Sequence, residues 1–368
     1  MKPVDYAADR AKEPAVGAGL AAFIDRRFRS PDYYDVGSAS IREYASLIRC
    51  EHAAYKSRNA AEKLGYPGLL APPTYFSLAA TLIQRALLGA YVDGTGFRSI
   101  VLTSQQTESH RPIVAGDRLA CETWIDTYRQ TLGGDLIGLT TMLTDPSGAP
   151  VVTSRARLAS RADLDERVGE IQNLLSGSIT GSAPPSSPQR RRRGGDAAAP
   201  TVPAGGPRRA GFTAAHLRSF ADISVGAELP ARTVYLTSGD LVRYAGLGGD
   251  PNPVHWNPGL AGLFRLDSVV AHGMLTTGIG VGYVAGFLDD PGAISAYRIR
   301  LISPVFVGSQ GAMIELRGRV KSIDREHRTV TMAIAARQEE REIFGRAAVT
   351  VRVRGGGDPV AVRSELSR

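Results

Sequence analysis

One carboxylate and one imidazole stand five positions apart in YAGLGGDPNPVH, residues 244–255: Asp250 and His255, with Pro251 and Pro253 between them. Proline fixes φ and turns the preceding residue away from helix, so Asp250 and Asn252 are held in extended or turn conformations. Gly248 and Gly249 suit a tight exit from a short helix expected over 238–247. The stretch therefore reads as a stiff loop aiming an acid–base pair, suited to proton transfer near neutral pH.

The next chemically suggestive element is AHG, residues 271–273, which opens a long apolar stretch. Backbone N–H groups at a helix N-terminus point outward with a partial positive field, so a carbonyl placed at Gly273 would be polarised without any side chain. A glycine there also permits close approach, and helix–sheet packing alone would be a sufficient reason for it. His272 either orients the loop or is a hydrogen-bonded core histidine. Asn252, between the prolines, is placed to bond its own turn. Gly273, Asn252 and His272 are the oxyanion or substrate-binding candidates beside the catalytic candidates Asp250 and His255.

Other chemistries find little support. His110, His216 and His327 have no metal-type spacing with each other or with cysteine, so no metal is expected. No glycine-rich phosphate loop or dinucleotide fingerprint is present, the glycines after Gly278 lying within a buried helix, and no cofactor is expected. No serine elbow motif pairs with a histidine.

The elements that must position these residues follow a repeated order. In the first half, helix is expected over 20–29, 41–64 and 74–88, a brief strand over 33–36, and strands over 100–109, 118–130, 136–145 and 150–160. A further short helix is expected over 162–175. In the second half, a brief strand over 233–236, the helix 238–247 and an apolar helix 274–288 precede strands over 294–301, 311–324, 328–337 and 341–354. Residues 176–211, rich in Pro, Gly, Ser and Ala, cannot bury enough apolar surface to order themselves and read as a linker. The domains expected are 1–175, a linker 176–211, and 212–368.

Bulk properties bound the rest. A chain of 368 residues exceeds what one core usually serves. Two cysteines, Cys50 and Cys121, give no disulfide framework, and the N-terminus has no apolar core of a signal peptide; a cytoplasmic setting is expected. Residues 269–288 have the length of a membrane span, but carry His272, Thr276, Thr277 and five glycines, so a buried central helix is expected instead. The net charge is +8, partly from an arginine run at 190–193. No aromatic residues interleave it, so a solvated tether is expected there and nucleic acid is not.

The halves align. Tyr44-Ala45-Ser46-Leu47 stands 200 positions before Tyr244-Ala245-Gly246-Leu247, and Ala71-Pro72-Pro73-Thr74 matches Ala271-His272-Gly273-Met274. At that offset the first half has Cys50 for Asp250 and Tyr55 for His255, while Glu51 and His52 lack the proline brace. Two units of one long helix wrapped by an antiparallel sheet, an α+β arrangement, would pack as a pseudo-dimer.

YAGLGGDPNPVHWNP followed by VVAHGMLTTGIG resembles the signature of the MaoC-like, hotdog-fold (R)-specific enoyl-thioester hydratases and dehydratases. The first half, through GLLAPPTY and HRPIVAGD, is similar to the FAS1-like dehydratase domain. The order of the two resembles a fused form of the actinobacterial (3R)-hydroxyacyl-carrier-protein dehydratase. The resemblance covers roughly residues 20–160 and 212–354 and implies a double hotdog fold with a catalytic second half. It implies that His255 takes the α-proton, Asp250 handles the water or hydroxyl, and Gly273 supplies the oxyanion N–H. The first half is then non-catalytic and binds the acyl chain.

The activity implied is dehydration of a (3R)-hydroxyacyl thioester in type II fatty acid elongation, including the mycolic-acid type, with an acyl carrier protein as partner. Two alternatives stand beside it: hydration of enoyl-CoA in fatty acid or sterol degradation, and a non-catalytic acyl-thioester-binding protein. The pseudo-dimer could act alone or pair again.

Overall fold

The computed structural model describes residues 20–95, 100–132, 134–160 and 223–353. The helix expected at 162–175 and the tether at 176–211 lie outside the described residues.

The first half runs through a 3₁₀ turn (Leu20–Phe23), β1 (Phe28–Arg29), β2 (Tyr34–Asp35), α1 (Ser38–Leu47), α2 (Arg58–Lys63) and the long α3 (Ser77–Thr95). Four antiparallel strands follow: β3 (Ile100–Ser109), β4 (Arg118–Thr131), β5 (Gly134–Thr144) and β6 (Pro150–Ser160). The second half opens with β7 (Glu228–Leu236), α4 (Ser238–Gly248), α5 (Pro258–Leu263), β8 (Val269–Val270) and α6 (Gly273–Ala285). It closes with β9 (Ile294–Leu301), β10 (Phe306–Val307), β11 (Ala312–Asp324), β12 (Thr329–Gln338), β13 (Arg341–Glu342) and β14 (Phe344–Arg352).

The two halves share one sheet. Its order, β1-β4-β5-β6-β3-β9-β14-β12-β11-β7, reads as one half followed by its mirror, and the seam is the antiparallel β3–β9 pair. Each half lays its long helix against its own part of the sheet, which is the double hotdog arrangement expected. Among the described residues no helix is long and apolar enough to cross a membrane.

Helix α6 explains its own glycines. It is buried on nearly every side from Leu275 to Ala285. A Cβ at Gly280 would stand 2.7 Å from the Phe344 ring of its own sheet, and one at Gly278 2.6 Å from Ile48 Cγ2 of the first half. The helix is thus clamped between its sheet and the first-half loop, with no room for a methyl group on either face.

Ion pairs and rings tie the halves further. Arg49 bonds Asp240 at 2.6 Å, Arg243 bonds Glu43 at 2.7 Å, and the Tyr44 and Tyr244 rings lie 6.2 Å apart. Asp240 also closes the capping box of α4 with Thr237, so one carboxylate both starts the helix and holds the partner half.

Several expected elements are redrawn. The helix expected at 41–64 breaks after Leu47: Arg49 takes φ 56°, and residues 50–52 run extended into a 3₁₀ turn, Ala53–Tyr55. Helix over 20–29 is limited to Leu20–Phe23, because Phe28 and Arg29 pair with Thr123 and Glu122 of β4. The last strand divides at Ile343 into a hairpin arm on β12 and β14 proper. Inside the first half the sheet face is polar: Gln105, Thr107, Thr123, Thr141 and Ser154 are buried. They satisfy one another, as in Thr123–Thr141 at 2.8 Å, and Gln84 of α3 reaches Thr141 at 2.9 Å.

Candidate active site

The loop after α4 is built by a series of local bonds. Gly249 caps the helix at φ 65°, a left-handed conformation that costs glycine little. The Asp250 carboxylate accepts the Asn252 N–H at 3.3 Å, and Asn252 Oδ1 accepts from Val254 N at 3.3 Å, capping the 3₁₀ turn Pro253–His255. Trp256 Nε1 donates to the Pro251 carbonyl at 2.9 Å, and Asn257 caps α5. Asn252 thus spends its acceptor on its own turn.

This scaffold aims His255 at Asp250. His255 Nδ1 lies 2.7 Å from the Val270 carbonyl on β8. A carbonyl only accepts, so Nδ1 carries the proton and Nε2 is left with a lone pair. That Nε2 faces Asp250 Oδ2 at 3.9 Å. A hydroxyl about 2.8 Å from each would sit between them. His255 is buried and Asp250 is 38 % exposed on its side chain, so the pair stands at a boundary between core and solvent. Burial lowers the His255 pKa, opposed by the Asp250 charge and the bond to Val270. The imidazole is therefore neutral at physiological pH, the state a base requires.

His272 supports both partners. Its Nε2 lies 3.2 Å from the Asp250 carbonyl, and its ring stacks on His255 with centroids 3.6 Å apart. Tyr244 packs on its other side at 4.8 Å. Burial, with the neighbouring His255, holds the His272 pKa down at about 3. Its Nδ1 has no hydrogen-bond partner among the described residues.

Gly273 begins α6, so its N–H has no carbonyl within the helix to bond. A Cβ there would meet Leu102 and Leu301 at 3.1 Å, which places the helix start over the Ser104–Arg300 end of the seam. Packing against these two leucines is by itself a reason for a glycine here.

Among the described residues one group of three metal-type donors occurs: Asp250, His255 and His272, with ligand atoms within 4.8 Å of one another. Both histidines anchor one ring nitrogen on a backbone carbonyl, as metal ligands and proton-transfer histidines alike do. Metal-type spacing among His110, His216 and His327 is absent, and the segment between His255 and His272 hides this group from the sequence. His110 bonds Thr153, His327 pairs with Asp324 at the surface, and His216 lies outside the described residues.

The first half repeats the scaffold without the acid–base pair. His52 caps the turn Ala53–Tyr55 as Asn252 caps its counterpart, and Ser57 caps α2 as Asn257 caps α5. Cys50 stands in the place of Asp250; it is buried, and burial pushes its thiol up to about 11. Tyr55 stands in the place of His255, fully buried, its hydroxyl without a partner among the described residues. Pro73 matches Gly273 and has no N–H to offer. The first half does reach the second half's loop: Arg85 of α3 donates to the Gly249 carbonyl, and Leu82 packs on Gly249. These partners are 164 positions apart, and nothing in either segment announces the contact.

Residues 22–154 match the FAS1-like, dehydratase domain region, and residues 222–340 match the MaoC like domain. A solved structure described as a MaoC-like dehydratase is 35 % identical, with a TM-score of 0.75 over 91 % of this chain and 100 % of that one. A UPF0336 protein of Mycobacterium tuberculosis is 34 % identical over 145 residues, 39 % of this chain and 92 % of that protein. A conserved hypothetical protein of the same species, described as having a double hotdog fold, is 15 % identical. It has a TM-score of 0.57 over 93 % of this chain and 100 % of that one, a likeness of fold alone.

Proposed function

This chain belongs to the MaoC-like dehydratase family, and from that premise we propose that Asp250 and His255 interconvert a (3R)-hydroxyacyl thioester and its trans-2-enoyl thioester. The observation that carries the reading is His255 Nε2, unprotonated and facing Asp250 Oδ2 across 3.9 Å. His255 takes the α-proton while the Cα–H electrons form the new double bond. The thioester oxygen gathers charge, and the Gly273 N–H stabilises it. The C–O bond to the hydroxyl breaks as that oxygen, oriented by Asp250, receives a proton returned from the imidazolium side. Water leaves and both side chains regain their starting states. His272 positions the pair, and Asn252 acts through the turn.

The first half, 1–175, is read as the non-catalytic partner that lines the acyl-chain path, and residues 176–211 as the linker to the catalytic domain 212–368. An acyl carrier protein is the proposed thioester donor, and both cysteines, free and buried, are consistent with a cytoplasmic setting. Coenzyme A thioesters would run through the same geometry, in hydration during degradation. Presenting (3R)- and (3S)-hydroxyacyl thioesters on both handles tests the reading. Enoyl product from the 3R epimer alone is expected; turnover of neither epimer on either handle overturns it and leaves an acyl-binding protein.

A further inference from the structure

The outer face of the shared sheet carries a concentration of arginines at its seam. Arg155 and Arg157 on β6, Arg298 and Arg300 on β9, and Arg346 on β14 are all exposed. Register brings them side by side. Ser104 of β3 pairs with Arg157 on one side and Arg300 on the other, and Gln106 pairs with Arg155 and Arg298. Strands lie about 4.8 Å apart, so the flanking arginines sit about 10 Å across the seam from one another. The Arg300 stem lies near Gly345, next to Arg346. Only Arg157 has a carboxylate partner among the described residues, Asp126 at 2.6 Å; Arg298 bonds the neutral Gln106 at 2.5 Å. Glu108, further along β3, makes no ion pair with them.

The strand ends of this face lie next to the helix start. Gly273 packs against Leu102 and Leu301 on the inner face of the sheet, and Arg300, the residue before Leu301, points to the outer face. Val101 and Ile302, beside those leucines, are each 48 % exposed, which gives the strand ends an apolar lip next to the basic rows. Both halves contribute arginines, so only the paired arrangement assembles the surface. A second copy of this chain would set like charges against each other and is disfavoured. A nucleic acid would call for aromatic stacking platforms, and the exposed apolar residues here are aliphatic.

We propose that this composite face docks an acidic protein that carries the thioester on a flexible arm, threading the arm past Val101 and Ile302 to Gly273. The proposal rests on the dehydratase reading for the identity of the cargo, whereas the surface itself is read from charge and register. Such docking is steered electrostatically and weakens with salt.

The test uses the full chain and a triple variant, Arg298→Glu, Arg300→Glu and Arg346→Glu. Binding of a fluorescently labelled acyl carrier protein is followed by anisotropy, and turnover is measured on carrier-borne and N-acetylcysteamine thioesters of one acyl chain. At least a tenfold weaker Kd and a tenfold higher KM for the carrier, with unchanged turnover of the small thioester, are expected. Unchanged carrier affinity overturns the proposal. So does a labelled RNA that binds the native protein tightly and is lost in the variant while carrier binding stays. If the triple variant does not fold, Arg300→Gln with a salt titration replaces it, and an absent salt dependence overturns the proposal. Carrier binding without turnover on any substrate by the native protein would fail the dehydratase reading and leave the docking face standing.

Discussion

Replacing His272 with glutamine gives a stability test with a worked magnitude. The glutamine amide still reaches toward the Asp250 carbonyl as a donor but does not titrate. The native imidazole is 2 % exposed with its pKa held at about 3, against about 6.5 unfolded. A depressed folded pKa means that the unfolded chain binds the proton first. The native state is therefore fully favoured above pH 6.5 and loses ground as pH falls toward the folded value. At pH 5 the unfolded group lies about 1.5 units above ambient, and at about 1.4 kcal/mol per unit the loss is about 2 kcal/mol. Any folded pKa below about 4 gives nearly the same number, so the prediction rests on burial and not on its exact value. Urea unfolding of native and His272→Gln protein at pH 7.5 and pH 5.0 is the assay. The native protein should lose about 2 kcal/mol more than the variant between the two conditions. The steady cost of losing the ring stack cancels in the difference. Parallel curves would refute a neutral, buried His272.

Three further outcomes follow. Arg85→Met removes the donor to the Gly249 carbonyl beside Asp250; because Arg85 is exposed, the loss should be at most about 1 kcal/mol, up to fivefold in kcat, with Tm nearly unchanged. A fall in Tm without a fall in kcat would make the contact merely structural. Dialysis against a chelator should leave turnover unchanged; loss restored by a divalent ion would reassign Asp250, His255 and His272 as a metal site. Thiol titration at pH 8 should find Cys50 and Cys121 sluggish in the native protein and both reactive in urea, since burial raises their pKa values to about 11 and about 12. Fast native reaction would contradict the tight clamp between the Ile48 loop and α6.

Much of the scaffold was legible because its signals are local. Strand alternation delivered Ile100–Ser109, Pro150–Ser160 and Ile294–Leu301 at their bounds, and the two prolines with Asn252 announced the rigid loop. Elements set by distant partners were not. Phe28 and Arg29 are strand because β4 is there to pair with them, and the break after Leu47 is needed for residues 48–50 to lie against α6. The meeting of Asp250 and His255 was readable from their spacing, whereas the Val270 carbonyl that fixes the His255 tautomer lies 15 positions away, where no residue type marks it. The polar interior of the first half was hidden too, since threonine serves equally well on either face of a strand.

The most direct test follows loss of the enoyl conjugation absorbance when the purified protein meets a trans-2-enoyl thioester, with Asp250→Asn, His255→Ala and Tyr55→Phe alongside. The account predicts turnover by the native protein and Tyr55→Phe, and a fall of about 10²-fold or more in the other two while their circular dichroism stays native. Near-normal rates in Asp250→Asn and His255→Ala, or loss confined to Tyr55→Phe, would contradict it.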